Sequence, residues 1–140
     1  MATETAKNPK ARELATLTIK SSPFAYAHLA STTLTPDEDS SMALNNPLDA
    51  LTVRSYCTAA LSQFLGATGA AISVDILVVR DENVWVRVPK PDLAAFCAAL
   101  TAYRGLPRGG ASTTLLRLQA CGDWLGSLLG RAEETELWAS

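Results

Sequence analysis

The sequence predicts an α+β domain in which two helices cover one face of a four-stranded antiparallel sheet, in the order β-α-β-β-α-β. Apolar residues recur at helical spacing in two segments, residues 50–66 and 92–103, whereas other segments alternate or are β-branched. Turn-forming residues separate these segments. The pattern is that of a ferredoxin-like or RRM-like two-layer sandwich, with an extra C-terminal helix.

Two alternating segments predict the first strands. In LATLTIK, Ala15, Leu17 and Ile19 form a wholly apolar side, which predicts that the fold starts near Leu14. After Pro23, the segment FAYAHLAST alternates again and predicts one edge-like or bulged strand, or two short ones. Its two predicted faces are Phe24, Tyr26 and His28 on one side, and Ala25, Ala27 and Leu29 on the other.

Each helix has a candidate N-cap and an apolar stripe. Asp49 is positioned to cap a helix that starts at Ala50 and ends at Gly66. Asp92 is positioned to cap the second helix, which Gly105 and Pro107 close. The stripes are Val53, Tyr56, Cys57, Ala60, Leu61 and Phe64 in the first helix, and Leu93, Phe96, Cys97, Leu100 and Tyr103 in the second.

The middle of the chain predicts a hairpin, and TTLLRLQA predicts a last strand. Within AAISVDILVV, alternation separates Ile72, Val74, Ile76 and Val78 from Ser73, Asp75, Leu77 and Val79. In the next strand it separates Val84, Val86 and Val88 from Trp85 and Arg87; in the last, Leu116, Leu118 and Ala120 from Leu115, Arg117 and Gln119. The face with Leu77, Val79 and Trp85 is too apolar for open water, so we expect protein to cover it, either a partner or the C-terminal helix around Trp124.

Composition fits one globular domain with tails. We expect a disordered N-terminal arm over residues 1–12, a domain over 13–131 with a mobile acidic loop at 32–47, and an acidic tail over 132–140. The 140 residues are 48% hydrophobic with a net charge of −2, so the chain lacks the basic excess of a free-standing nucleic-acid binder. No signal peptide or membrane span is indicated, which suggests an intracellular protein. Cys57, Cys97 and Cys121 fit reduced, packed thiols.

The residues of catalysis are sparse. The one histidine, His28, lies mid-strand, and no phosphate-binding loop occurs, so we expect no catalytic, cofactor or metal site. Asp75 interrupts an apolar strand, and Arg87 on the neighbouring strand is its plausible ion-pair partner. The stretch ENVWVRV lacks the aromatic motif of an RNA-recognition strand, so Trp85 favours protein contact over base stacking.

Several segments resemble fungal members of the Pop type (the eighth Pop subunit) among the small protein subunits of ribonuclease P and ribonuclease MRP, a group related to Pop-five and Rpp-fourteen-like proteins. The likeness runs from about Thr18 to Leu118 and includes SPFAYAHL, LDALTVRSYCTAALSQFLGATGAAISVDIL, VWVRVP and DLAAFCAALTAYRG. The resemblance implies a non-catalytic subunit, located in the nucleus and nucleolus, in a complex whose RNA performs the cleavage. The reactions would be removal of 5′ leaders from precursor tRNA and processing of precursor rRNA, with magnesium bound only by the catalytic RNA.

The resemblance also implies a heterodimer with a related small subunit, further protein subunits and the catalytic RNA as partners. Candidate RNA contacts are Arg54, Arg80, Arg87, Lys90, Arg104 and Arg108. Candidate residues of the partner interface are Tyr26, Leu77, Val79, Trp85 and Trp124. Two alternatives stay open: a stand-alone ferredoxin-like domain that binds a ligand or oligomerises, and, less favoured, a metal-dependent nuclease that uses Asp75.

Overall fold

The computed structural model describes residues 11–34, 47–107 and 112–130. Strands β1 to β5 span Phe24–Leu34, Asp75–Arg80, Asn83–Pro89, Leu106–Pro107 and Thr113–Gly122; helices α1 and α2 span Ala50–Ala70 and Leu93–Ala102. A short 3₁₀ helix, Lys90–Asp92, leads into α2, and residues 125–130 are helical. Most of the predicted N-terminal arm and acidic loop, and the whole acidic tail, lie outside the described residues. No helix of the described part is long and apolar enough to cross a membrane.

The strands form one antiparallel sheet in the order β2-β3-β1-β5-β4. The predicted α+β sandwich is confirmed, but the sheet has five strands instead of four. The additional strand, β4, pairs Leu106 with Thr114 and Pro107 with Thr113. Two residues are too few to produce an alternation, which explains why the sequence pattern did not reveal this strand.

The strand predicted in LATLTIK is wrong. Residues 11–19 have no regular structure and are all exposed, with Leu14 at 92% exposure. Alternation alone does not make a strand, because its backbone groups also need a neighbouring strand to bond. The first strand is β1, and it lies between β3 and β5 instead of at an edge.

The core lies between the two helices and one face of the sheet. On β1, Ala25, Ala27 and Leu29 are fully buried, as the predicted alternation required. Small side chains on this central strand let α1 and α2 approach the backbone closely, and the larger apolar groups come from the helices and β3. Core members include Val53, Tyr56, Ala60 and Leu61 of α1, Phe96, Ala99 and Leu100 of α2, and Val84, Val86 and Val88 of β3.

Helix α1 begins as predicted but extends past its predicted end. The Asp49 carboxylate accepts a hydrogen bond from the Thr52 backbone N–H at 2.7 Å, which confirms the N-cap. Gly66 interrupts the helix with a φ of 61°, a conformation that favours glycine, and the helix then continues to Ala70. After this kink Gly69 is buried against the preceding turns, so close that an added Cβ would lie 2.2 Å from the Leu61 carbonyl oxygen.

The second helix starts differently from the prediction. Asp92 precedes α2, but its side chain makes no capping hydrogen bond. The 3₁₀ helix at Lys90–Asp92, with a proline in its first turn, leads the chain directly into α2. Because the 3₁₀ helix runs directly into α2, the backbone at Asp92 is already helical, whereas an N-cap residue has an extended backbone.

Two register shifts change which side chains share a face. Between Ile76 and Val78 of β2 the pairing with β3 slips, so Leu77 has no partner, and Val79 lies opposite the core residue Val84. Val79 therefore packs on the helix side, contrary to the predicted alternation. In β5 the pairing with β1 skips Gln119, which places Ala120 opposite His28 on the face away from the helices.

The three cysteines are free thiols with different exposure. Cys57 is buried, Cys97 is half-buried and Cys121 is exposed, so the prediction of packed thiols is confirmed for Cys57 and Cys97 and is wrong for Cys121. Burial raises the pKa of Cys57 from 9.0 to about 12. Burial, with a smaller effect of nearby Cys121, raises the pKa of Cys97 to about 11.

We predict that Gly69→Ala destabilises the protein by about 1–3 kcal/mol, because the added methyl group would displace the Leu61 backbone. The matched control is Gly126→Ala in the helical segment 125–130, where an added Cβ meets nothing within 4 Å. That control should change stability by less than about 1 kcal/mol, and favourably. Urea unfolding of both variants measures the difference, and equal stabilities would contradict the close approach.

We also predict that stability falls as pH rises through the alkaline range, in part because of Cys57. Above its unfolded pKa the unfolded chain releases the thiol proton, whereas the folded chain keeps it up to about pH 12. The contribution lost between about pH 8 and about pH 10 should be about 1 kcal/mol. Cys57→Ala should show a correspondingly smaller decline in the free energy of unfolding, while the exposed control Thr58→Ala keeps the wild-type decline. A decline unchanged by Cys57→Ala would refute this account.

Candidate partner-binding face of the sheet

The sheet face away from α1 and α2, which we call the open face, carries Tyr26, Trp85 and Arg87 of the candidate binding residues. The pairing register places on it Phe24, Tyr26 and His28 of β1, Trp85 and Arg87 of β3, Asp75 and Val78 of β2, and Leu115 and Arg117 of β5. No helix as long as α1 or α2 covers this face in the described part of the chain. Aromatic rings and arginines on such a face are typical of a binding surface.

Trp85 lies at the centre of the open face. It sits directly across from His28, and the two rings stack with their centroids 4.6 Å apart and their planes 4° from parallel. The His28 Nε2 atom is 2.9 Å from the side-chain oxygen of Asn83, which fixes the imidazole orientation. His28 is therefore a half-buried strand histidine with a hydrogen-bond partner.

Trp85 is only 6% exposed although it lies on the face opposite the two long helices. Its indole Nε1 is buried and has no hydrogen-bond partner within the described ranges. A buried donor without a partner costs about 1–3 kcal/mol. Leu128, in the helical segment 125–130, is also buried and, like Trp85, lies outside the core between helices and sheet.

Arg87 is held by two neighbours on the open face. Its guanidinium donates two hydrogen bonds to the Asp75 carboxylate, at 2.9 and 3.1 Å, and its Cζ lies 4.3 Å from the centre of the Phe24 ring. The predicted Asp75–Arg87 pair is therefore confirmed. Both side chains are more than a third exposed, so the pair contributes at most about 1 kcal/mol and mainly fixes the position of Arg87.

The five candidate interface residues do not form one patch. Tyr26 is half-buried on the open face with Trp85, and Leu77 protrudes at the bulge of β2 with 40% exposure. Trp124 is 53% exposed, just after β5. Val79 points to the helix side, because the bulge reverses the alternation, so it does not belong to the open face.

The candidate RNA contacts divide into paired and unpaired cations. Arg87 is paired with Asp75, and Lys90 donates to Asp123 at 3.0 Å. The other three that can be placed, Arg54, Arg80 and Arg104, are exposed and form no ion pair with any described residue. They lie on α1, at the end of β2 and after α2, and thus form no single basic patch. Arg108 lies outside the described residues.

The geometry of these residues supports binding instead of proton transfer. His28 contacts a tryptophan ring and an amide, and Asp75 is paired with an arginine, so neither has the neighbours of a general acid or base. Within residues 11–34, 47–107 and 112–130, no three His, Cys, Asp or Glu side chains cluster as metal ligands would.

Sequence reasoning missed the His28–Trp85 stack and the two bulges. The alternation placed both rings on the same side of their strands, but only the strand register shows that they lie opposite each other. A signal was present, since an aromatic pair across an antiparallel ladder is a favourable combination. Without knowing that β1 is adjacent to β3, however, the pair could not be assigned.

Comparison with known proteins agrees with this fold. A chain in the cryo-EM structure of yeast ribonuclease MRP superimposes with a TM-score of 0.63 at 19% identity, covering 84% of this chain and 97% of the yeast chain. At that identity the match concerns the fold alone. A search of curated proteins finds no match. The family model described as ribonucleases P/MRP protein subunit Pop8 matches residues 23–103, more than half of the sequence. The chain therefore belongs to the Pop8 family of ribonuclease P/MRP protein subunits.

Proposed function

We propose that the chain is a non-catalytic subunit that pairs with a related small subunit and helps hold the catalytic RNA of ribonuclease P, ribonuclease MRP or both. The observation that carries this proposal is the Pop8 family match over residues 23–103. In this role the chain takes part in 5′-leader removal from precursor tRNA and in precursor rRNA processing, in the nucleus and nucleolus. Cleavage, and the magnesium it needs, belong to the RNA.

The open face is the surface we assign to the protein partner. Tyr26 is half-buried there and Arg87 is more than a third exposed, so both can contact a partner, whereas Trp85, at 6% exposure, is already covered by the chain itself. Tyrosine and arginine commonly carry a large share of the binding energy of an interface.

The charge distribution favours protein contacts over extensive RNA contacts. The net charge is −2, and two of the candidate cations are already neutralised by carboxylates. Unpaired cations such as Arg54 and Arg80 remain available for isolated phosphate contacts. Each such contact adds a salt-dependent increment to RNA affinity, so few contacts imply weak RNA binding by the chain alone.

The test is affinity purification of the tagged full-length chain from native extract, with sequencing of bound RNA and identification of bound proteins. We expect one long structured RNA and a homologous small subunit. A soluble homodimer that recovers no RNA would instead support the stand-alone ligand-binding or oligomerisation domain. Magnesium-dependent cleavage of RNA by the purified chain, lost in Asp75→Ala, would support a nuclease and refute our assignment.

Two sets of variants in the same experiment separate the partner from the RNA. Tyr26→Ala with Val78→Glu changes two half-buried residues of the open face and should reduce recovery of the small subunit about tenfold or more. Arg54→Glu with Arg80→Glu should leave the small subunit bound and weaken RNA retention most at high salt. Leu51→Glu, at an apolar site on α1 that is 73% exposed, is the control and should change neither. Loss of the partner in the control alone would place the interface on the helix layer.

A further inference from the structure

One long edge of the sheet has no neighbouring strand. On its outer side β5 pairs only Thr113 and Thr114 with β4, and from Leu115 onward that side meets no strand among the described residues. Unpaired backbone N–H and C=O groups along a strand form a template for one more strand. The opposite edge, β2, is less suitable because its bulge at Leu77 interrupts the register after two residues.

A groove of about 580 Å³ follows this part of β5. Leu115 and Arg117 point to the open face, whereas Leu116 points to the helix side, and residues of both kinds line the groove. Because residues from both faces of the sheet line it, the groove runs along the edge of β5 and not across one face. Its regular stretch is residues 115–118, because the bulge at Gln119 follows.

The helix side of the groove supplies aromatic and apolar groups. Tyr56 and Tyr103 meet edge to face, with ring centroids 4.9 Å apart, and Leu100 lies beside them. The Tyr56 hydroxyl is fully buried and has no hydrogen-bond partner within the described part of the chain. Burial raises the pKa of Tyr56, and the Leu116 backbone amide, which faces the phenol, partly opposes that rise. Thr114, next along β5, has a buried hydroxyl in the same condition.

Among the described residues, the charges that line the groove have one sign. They are Arg104 and Arg117, both exposed, and neither forms an ion pair with a described residue. A cationic rim around an apolar floor selects an occupant with carboxylates and at least one apolar side chain. The unpaired backbone edge selects an extended polypeptide, since bases and sugars cannot continue a strand ladder.

We propose that the groove along residues 115–118 binds an extended acidic segment of a partner protein as an added strand, with an apolar side chain against Leu100 and Tyr103 and carboxylates at Arg104 and Arg117. The segment binds at the β5 edge, which is distinct from the open face. This inference rests on the proposed function in one respect, that the chain works in an assembly of proteins. It also reassigns Arg104 from RNA to peptide contact.

The binding test uses the isotope-labelled full chain and three probes. The first is a synthetic ten-residue peptide of alternating leucine and glutamate, the second has lysine in place of glutamate, and the third is a single-stranded ten-nucleotide uridine RNA. We expect the acidic peptide to shift the backbone amide signals of residues 115–118 and the Tyr103 ring, and to slow amide exchange there. Stronger effects of the lysine peptide or of the RNA at these signals would overturn the proposal, as would dimerisation of the chain through this edge.

A charge exchange tests the assigned contacts. Arg104→Glu with Arg117→Glu should weaken binding of the acidic peptide about tenfold and bring the lysine peptide to comparable affinity. Arg54→Glu with Arg80→Glu changes the net charge by the same amount away from the groove and is the matched control. If both double variants weaken the acidic peptide equally, the attraction is non-specific and the proposal fails.

Hydrogen exchange in the native assembly separates this proposal from the proposed function. In the complex purified through the tagged chain, the amides of residues 115–118 that point away from β1, at every second position, should exchange at least tenfold more slowly than in the isolated chain, and still do so after ribonuclease digestion. Recovery of the ribonuclease RNA without this protection would refute the added strand but keep the subunit assignment. Protection already present in the isolated chain would mean that the chain covers its own edge, and would also refute it.

Discussion

Two helices can cover only one face of a sheet, and this limit shapes the rest of the molecule. The helix side is packed in the ordinary way, with three fully buried small or medium residues of β1 beneath α1 and α2. The other face receives the residues that the core does not use. It nevertheless contains a tryptophan with 6% exposure and an unpaired indole N–H. A face of this composition is stable but incomplete, since its central donor has no acceptor among residues 11–34, 47–107 and 112–130.

The fold could be predicted where the hydrophobic pattern of a segment is long and the segment it packs or pairs with is close in sequence. Helices α1 and α2, the β2–β3 hairpin and the Asp75–Arg87 pair all satisfy this condition, because their residues lie within a few turns of one another along the chain. LATLTIK shows the opposite case. Its alternation is as clear as that of β1, yet no strand lies beside it, and residues 11–19 remain without regular structure. The two segments differ in that β1 has strands to pair with on both sides and LATLTIK has none in the described part of the chain, and composition does not reveal this.

The candidate site was less predictable because register decides it. A single unpaired residue at Leu77 moves Val79 to the core, and the skipped Gln119 moves Ala120 to the open face. A side chain changes faces whenever one residue is inserted, so a residue list based on strict alternation fails beyond a bulge. The residues predicted before the first bulge, Asp75 and Arg87, were assigned correctly, whereas Val79, beyond it, was not.

The open face and the groove differ in the kind of polar group that lacks a hydrogen-bond partner among the described residues. This difference implies that the two surfaces bind different kinds of partner. On the open face the unsatisfied group is a side-chain donor at Trp85, surrounded by backbone that is already paired on both sides in β1 and β3. Because the chain itself buries that donor, a partner on the open face contacts the more exposed side chains around it. Along residues 115–118 the groups without a neighbouring strand in the described part of the chain belong to the backbone itself, repeated at every second residue, and one acceptor cannot pair with all of them. Only another backbone in extended form has donors and acceptors at that spacing, so a subunit docked on the open face leaves the β5 edge still unpaired.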